Sequence, residues 1–293
     1  MTSIITRPPV LAQETEQDLM NRVRANARNT RLRIWGLRAA LVAIWLGSWE
    51  ITANIVGLSG TFFISRPSLI WERLVQWFTV GTPVGSIWEN IGYTVSAAVL
   101  GFILGTITGI VVGVFLGRNR FLAEVLAPFI KASNAIPRIV LAALFIIWFG
   151  SGINSKVATV FVLVFFVIFF NAFTGAREVD QNVINNARIL GASKRKVLTS
   201  IVLPSATSWI LSSMHTAFGF ALIGAIVGEY AGAKRGMGLL INQSQGSFDT
   251  AGIFAGMIIV TVIALLAEWI LTVAENKLLK WKPSQSGSHT KGL

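Results

Sequence analysis

The sequence predicts an all-α fold, a polytopic membrane protein with six transmembrane helices. Hydrophobic residues make up 53% of the chain and charged residues only 13%, against about 25% charged in an ordinary soluble domain. Apolar runs recur at the roughly 20-residue length needed to cross the hydrocarbon core, near 34–57, 89–117, 124–150, 156–176, 204–230 and 251–275. The 25 basic residues, against 13 acidic for a net charge of +12, sort to one side of those runs. They do not form a patch with interleaved aromatics, so they report topology and exclude nucleic acid as a partner.

Residues 1–33 form a basic cytoplasmic segment. Its stretch "LAQETEQDLMNRVRANARNTRLR" reads either as a helix on the membrane surface or as a partly unfolded tail. No short apolar region with a small-residue cleavage site marks a secretory signal. The membrane domain runs over 34–282. After its first span, "SRPSLIWERLVQWFTVGTP" places Leu69, Ile70, Leu74 and Trp77 on one helical face, an amphipathic interfacial helix too short and too charged to span. The second span carries Gly101, Gly105, Gly109, Gly113 and Gly117, with Ala97 one step earlier, a ridge that lets another helix approach backbone to backbone. Gly252 and Gly256 repeat the device in the last span. The tail at 283–293 is polar and expected to stay unfolded.

With the N-terminus inside, Arg7, Arg22, Arg24, Arg28, Arg31, Arg33 and Arg38 lie in the cytoplasm, as do Arg118, Arg120, Arg177, Arg188, Lys194, Arg195 and Lys196. Lys277, Lys280, Lys282 and Lys291 join them, which puts the C-terminus inside too. Only Arg66, Arg73, Lys156, Lys234 and Arg235 fall outside, and Lys131 and Arg138 fall within a span. The positive-inside rule sets this orientation for a multi-pass membrane protein. Trp35, Trp209, Trp269 and Trp281 then sit near the inner interface, and Trp49, Trp88 and Trp148 near the outer one.

That orientation places the loop 177–203 in the cytoplasm. Val183, Ile184, Ala187 and Leu190 form an apolar stripe at helical spacing. Gly191 supplies the turn at the helix end, and Ser193 caps a second short helix with Val197, Leu198, Ile201 and Val202 on its buried side. Pro204 starts the next span, where a first-turn proline sacrifices no hydrogen bond. On periodicity alone the loop is a surface linker.

Its spacing adds more. Ala187, three residues, Gly191, nine residues and then "IVLP" resembles the EAA loop of binding-protein-dependent ABC importer permeases, E-A-A, x3, G, x9, I-x-L-P. "PSLIWERLVQW", "LAPFIKASNAIPRIVLAALFIIWFG", "GEYAGAKRGMGLLI" and "FDTAGIFAGMIIV" extend the resemblance over roughly 64–282, to the nitrate/sulfonate/taurine/bicarbonate branch. The resemblance implies a type I importer permease fold and a permease working as a homodimer. It also implies two cytoplasmic ATPase subunits and an extracytoplasmic solute-binding protein as partners, within membrane lipid. Coupling contacts to the ATPase fall on Asn185, Asn186, Ala187, Arg188 and Gly191, and the frame of the docking helix on Ile201, Leu203 and Pro204. Two departures stand out. Asn185 and Asn186 replace the usual Glu and Ala, so no glutamate salt bridge to the ATPase carries over, and Val167 replaces a common proline. No GxxxxGK[ST] motif occurs, so ATP and its Mg are expected on the partner subunit and no cofactor on this chain.

Polar residues inside spans mark candidate path residues. Arg138, after Pro137, is either the charge partner of an anionic cargo or the partner of a carbonyl that the proline frees. Asn134, Ser212 and His215 accompany it toward the midplane, and Glu229 at the outer end of the fifth span is either a gate residue or solvated. Glu50 and Glu268 near span ends are expected to snorkel or pair. The expected cargo is a small anion of the sulfonate, taurine or nitrate class. A secondary transporter is the alternative, but no internal repeat or buried carboxylate set supports it. The absence of cysteine and the presence of only two histidines argue against a metal centre, and no nucleophile–base set points to an enzyme.

Overall fold

The structure, a computed structural model, describes residues 16–55 and 65–278, apart from the side chains of 16–20, 22–29, Arg120, Asn134, Gln181 and Leu278. The expected tail at 283–293, Trp281 and residues 1–15 lie outside the described residues, as does the side chain of Asn134. Described elements are helical, apart from an isolated bridge between Thr82 and Gly85. The chain divides into two compact units at Ser68 and Leu69.

The N-terminal unit is built on α1, Glu16–Ile55, one helix of 40 residues. The expected boundary at residue 33 is therefore not a break in the helix. No proline falls between 16 and 55 to end it. The part long and apolar enough to span is Thr30–Ile55. Glu50 is paired, as expected: its carboxylate accepts the Ser68 N–H at 3.1 Å and the Ser68 hydroxyl at 2.8 Å.

The boundary falls within the first turn of α2 (Pro67–Thr79), and the second unit goes on with α3 (Ile87–Arg118), α4 (Arg120–Ala135), α5 (Leu141–Phe149) and α6 (Ile153–Arg177). It continues with α7 (Gln181–Ile189), α8 (Lys194–Val197), α9 (Leu203–Gly232), α10 (Met237–Gly246) and α11 (Thr250–Leu278). In α2, Ile70 and Trp77 are buried and Leu69 and Leu74 half-buried, which is the expected face. Helices α3, α6, α9 and α11 pass as single spans. The third expected span is broken. Ile136 is extended (ψ 128°) ahead of Pro137, and the two halves meet at 71°. Proline pushes the preceding residue out of the helical region and supplies no N–H, so the run 124–150 cannot stay straight.

The core is a layer of α3, α6 and α9. Along α3 each ridge glycine faces one residue of α6: Gly101 meets Val160, Gly105 Val164, Gly109 Ile168, Gly113 Ala172 and Gly117 Ala176. A Cβ at Gly105 would lie 2.9 Å from Val164 Cβ, and one at Gly109 3.0 Å from Ile168 Cβ. The ridge therefore packs against a helix of its own chain. Ala217, Ala221 and Ala225 of α9 close over Ala97, Ala98 and Phe102 of α3 and Val160 and Val164 of α6. Gly256 similarly abuts Ile241 of α10. Val167 leaves α6 unbroken, consistent with the missing proline.

Adding a methyl where a Cβ has no room costs about 1–3 kcal/mol. Gly101→Ala, whose Cβ would overlap Val160, should lower the apparent Tm of the detergent-solubilised chain more than Gly109→Ala. Gly47→Ala, with nothing within 4 Å, should leave it unchanged or raise it. Equal Tm values for the three variants would show that the ridge does not set the packing.

Candidate functional site

At the end of the bundle carrying the 177–203 loop, α7 starts with Asp180, whose side chain accepts the Asn182 N–H at 2.8 Å. It stops in a double hydrogen-bonded turn: Gly191 N–H bonds the Arg188 carbonyl and Ala192 N–H the Ala187 carbonyl, both at 2.9 Å. Gly191 has φ +85°, the left-handed value this termination requires and glycine adopts most readily. Ser193 then accepts the Lys196 N–H at 3.2 Å, the expected cap.

The expected second helix is not a separate one. The short α8 runs through a π-helical turn, Leu198–Val202, directly into α9, and Lys194–Gly232 passes as one span. The wider turn lets Leu203 N–H reach the Leu198 carbonyl just ahead of Pro204, which has no N–H of its own. The apolar stripe is also narrower than expected. Ile184 is fully buried and Ala187 half-buried, while Val183 and Leu190 are exposed. On the second segment Val197 and Val202 are buried, but Leu198 is exposed. Ile184 sits in a cluster with Val114 of α3, Ala172 and Ala176 of α6, Val202, and Ala206 and Ile210 of α9. One small helix thus shares a buried apolar cluster with residues of three spans. Its other face leaves Asn185, Asn186, Arg188, Ile189 and Leu190 exposed or half-exposed, Ile189 and Leu190 at 83% and 86%.

Within the spans, Arg138 lies with its guanidinium 4.5 Å from the centre of the Phe166 ring, a cation–π contact to α6. His215 has no free ring nitrogen: Nδ1 lies 2.7 Å from Glu268 and Nε2 2.9 Å from Glu275 of α11. Both carboxylates lie on one face of α11, two helical turns apart. The expected pairing of Glu268 is thus with a candidate path residue. Ser205, Ser212, Thr216 and Gly219 are exposed along α9 beside His215, whereas Ser213 is buried and donates to the Ile210 carbonyl at 2.7 Å.

Glu229 departs furthest from expectation. It is fully buried, not solvated. Its Oε2 accepts the Gly238 N–H at 2.8 Å and lies 3.0 Å from the Thr94 hydroxyl. Asn90 accepts the Gly236 N–H at 2.8 Å, and Thr94 the Met237 N–H at 2.9 Å. Gly236, at φ +120°, gives α10 no side-chain cap. The orphan N–H groups of a buried helix start are therefore capped by α3 and α9. Lys156 of α6, also fully buried, does the converse for α9. It donates to the Gly232 carbonyl at 2.7 Å, the Ser151 carbonyl at 3.1 Å and the Ser155 hydroxyl at 3.1 Å. Asn90 and Thr94 share the stripe of Ala97 and Gly101, and polar residues in register with a close-packing ridge are the sequence signal for this frame.

Removing a carboxylate from a buried N–H leaves that donor unsatisfied, at about 1–3 kcal/mol. Glu229→Ala should destabilise the solubilised chain by that amount, while Glu229→Gln, which keeps an acceptor for Gly238, should cost less. A thermal unfolding series in which both variants matched the parent would remove the capping role.

A model of the family described as "Binding-protein-dependent transport system inner membrane component" matches residues 105–280. The riboflavin transport system permease protein of Chloroflexus aurantiacus is 34% identical over 90% of this chain and 98% of its own length. A putative aliphatic sulfonates transport permease protein of Bacillus subtilis is 28% identical over 86% of this chain and 88% of its own. The taurine transport system permease protein of Escherichia coli is 28% identical, covering 84% and 88%. Among solved structures, an inward-facing MetNI methionine ABC transporter matches 70% of this chain and 96% of its own with a TM-score of 0.52. At 18% identity that likeness speaks for the fold alone.

Proposed function

The chain belongs to the family of binding-protein-dependent transport system inner membrane components, and from that premise we propose that ATP hydrolysis on a partner drives its transport cycle. It is an ABC importer permease and not an enzyme, a multi-pass protein of the inner membrane. It works as a homodimer with two cytoplasmic ATPase subunits, which bind ATP and Mg, and takes cargo from an extracytoplasmic solute-binding protein. Both termini and the 177–203 loop face the cytoplasm, by the distribution of basic residues.

The observation that carries this reading is α7. A helix whose Ile184 shares a buried cluster with residues of α3, α6 and α9, and which ends in a hydrogen-bonded turn at Gly191, can pass a push on its exposed face to that cluster. Asn185, Asn186, Ala187, Arg188 and Gly191 make or orient the ATPase contact, with Ile201, Leu203 and Pro204 framing the joint to α9. Apolar Ile189 and Leu190 extend the surface, so docking without the usual glutamate rests on apolar burial and Arg188.

The cargo path follows the polar stripe of α9, where Ser212 and His215 lie, since exposed polar side chains within a span mark a substrate path. The cargo is a small organic solute with an anionic group, for which Arg138 beside Phe166 is the charge partner. Relatives whose names specify aliphatic sulfonates and taurine support that class.

At φ +85°, Gly191→Val forces a branched side chain into the left-handed region, at about 1–2 kcal/mol. The variant should insert and dimerise normally, while ATP-dependent uptake falls strongly and the ATPase subunits co-purify less. Gly191→Ala should be milder. Normal uptake by Gly191→Val with the ATPase still bound would reduce α7 to a linker.

A further inference from the structure

A second feature lies at the inner end, on the side of α3 and the π-helical turn. A groove of about 560 Å³ runs between the last turns of α3 and the joint to α9, lined by Val111, Val114, Phe115, Leu198 and Leu203. That volume falls within the roughly 300–1,000 Å³ of ordinary ligand pockets. Its walls are apolar except at one end, where Arg118 and Asn119 close it. Val111 and Phe115 are more than half exposed, so the groove opens sideways from the bundle.

The charge at that end is one-sided. Arg118 is half-buried, and Arg188 of α7 is near enough to act on it electrostatically. Among the described residues neither guanidinium makes an ion pair with a carboxylate. Helix α4 begins at the same corner, its Asn119 cap accepting the Leu122 N–H at 3.1 Å, and a helix start adds positive potential. An apolar slot in a membrane protein, ending in two cations at the level of the cytoplasmic headgroups, complements one ligand chemistry: an acyl chain joined to a phosphate.

We propose that the groove of Val111, Val114, Phe115, Leu198 and Leu203 is a binding site for an anionic phospholipid of the inner leaflet, its phosphate held by Arg118 and Arg188. The bound chain packs on Leu198 and Leu203, which flank the π-helical turn ahead of Pro204. Lipid binding therefore stiffens the joint between the coupling segment and α9. This site shares no residue with the cargo path, and it shares Arg188 and Leu203 with the ATPase-coupling segment.

The test uses the full chain in vesicles of phosphatidylcholine with about 20% phosphatidylglycerol, followed by gentle extraction and native mass spectrometry of retained lipid. Phosphatidylglycerol should be retained beyond its share of the vesicle. Arg118→Gln should reduce that preference about fivefold, the effect of one basic group at a membrane surface. Val111→Trp, which fills the groove from an exposed position, should retain neither lipid while keeping the parent's Tm. Retention in proportion to vesicle composition, or an undiminished preference in Arg118→Gln, overturns the proposal. Stripping of the lipid by glycerol phosphate in the wash would make this a site for a soluble phosphate and overturn the lipid assignment. Absence of lipid in the parent, with cross-linking of Val111→Cys between copies, would assign the groove to a second chain.

Discussion

The approach of α3 to α6 backbone to backbone is the contact on which the rest of the bundle depends. Lipid tails are as apolar as the side chains they replace, so association of helices rests on close packing and interhelical hydrogen bonds. Five glycines on α3 meet Val160, Val164, Ile168, Ala172 and Ala176 on α6, a match that holds from one end of the pair to the other. Only with those two helices so close can the alanines of α9 close over both. The same closeness lets Asn90 and Thr94 of α3 reach the first turn of α10.

The two ends of this layer are held by different chemistry. At one end, buried ionisable side chains serve helix termini, Glu229 the start of α10 and Lys156 the end of α9. Each lies where its ionised form complements the helix end it serves, and unsatisfied backbone groups in a membrane cost several kcal/mol. At the other end the ties are apolar, centred on Ile184, with a π-helical turn where α9 begins. The proposed coupling through α7 uses that division.

Much of this is legible in the sequence, because the strongest constraints are local. Glycine at every fourth position predicts a close-packed ridge without naming the partner helix. The spacing of Ala187, Gly191 and Pro204 predicts a turn at Gly191, and the structure has its φ at +85°. For Glu229, position near a span end suggests solvent, whereas its partner is an N–H in the first turn of the next helix, α10. For His215, the partners Glu268 and Glu275 are 53 and 60 residues away, and pairing over that separation leaves no periodic trace. The break at Pro137 is visible as a residue type, but hydropathy averages across it and predicts one straight span.

The central claim is that the exposed face of α7 is covered by the ATPase subunit. The chain has no cysteine, so Leu190→Cys introduces a single thiol at a position 86% exposed. The most direct measurement is its rate of reaction with a membrane-impermeant maleimide in inside-out vesicles, with and without the ATPase subunits. The account predicts fast labelling of the permease alone and strong protection once the ATPase is bound. An unchanged rate in the assembled, transport-competent complex would contradict it.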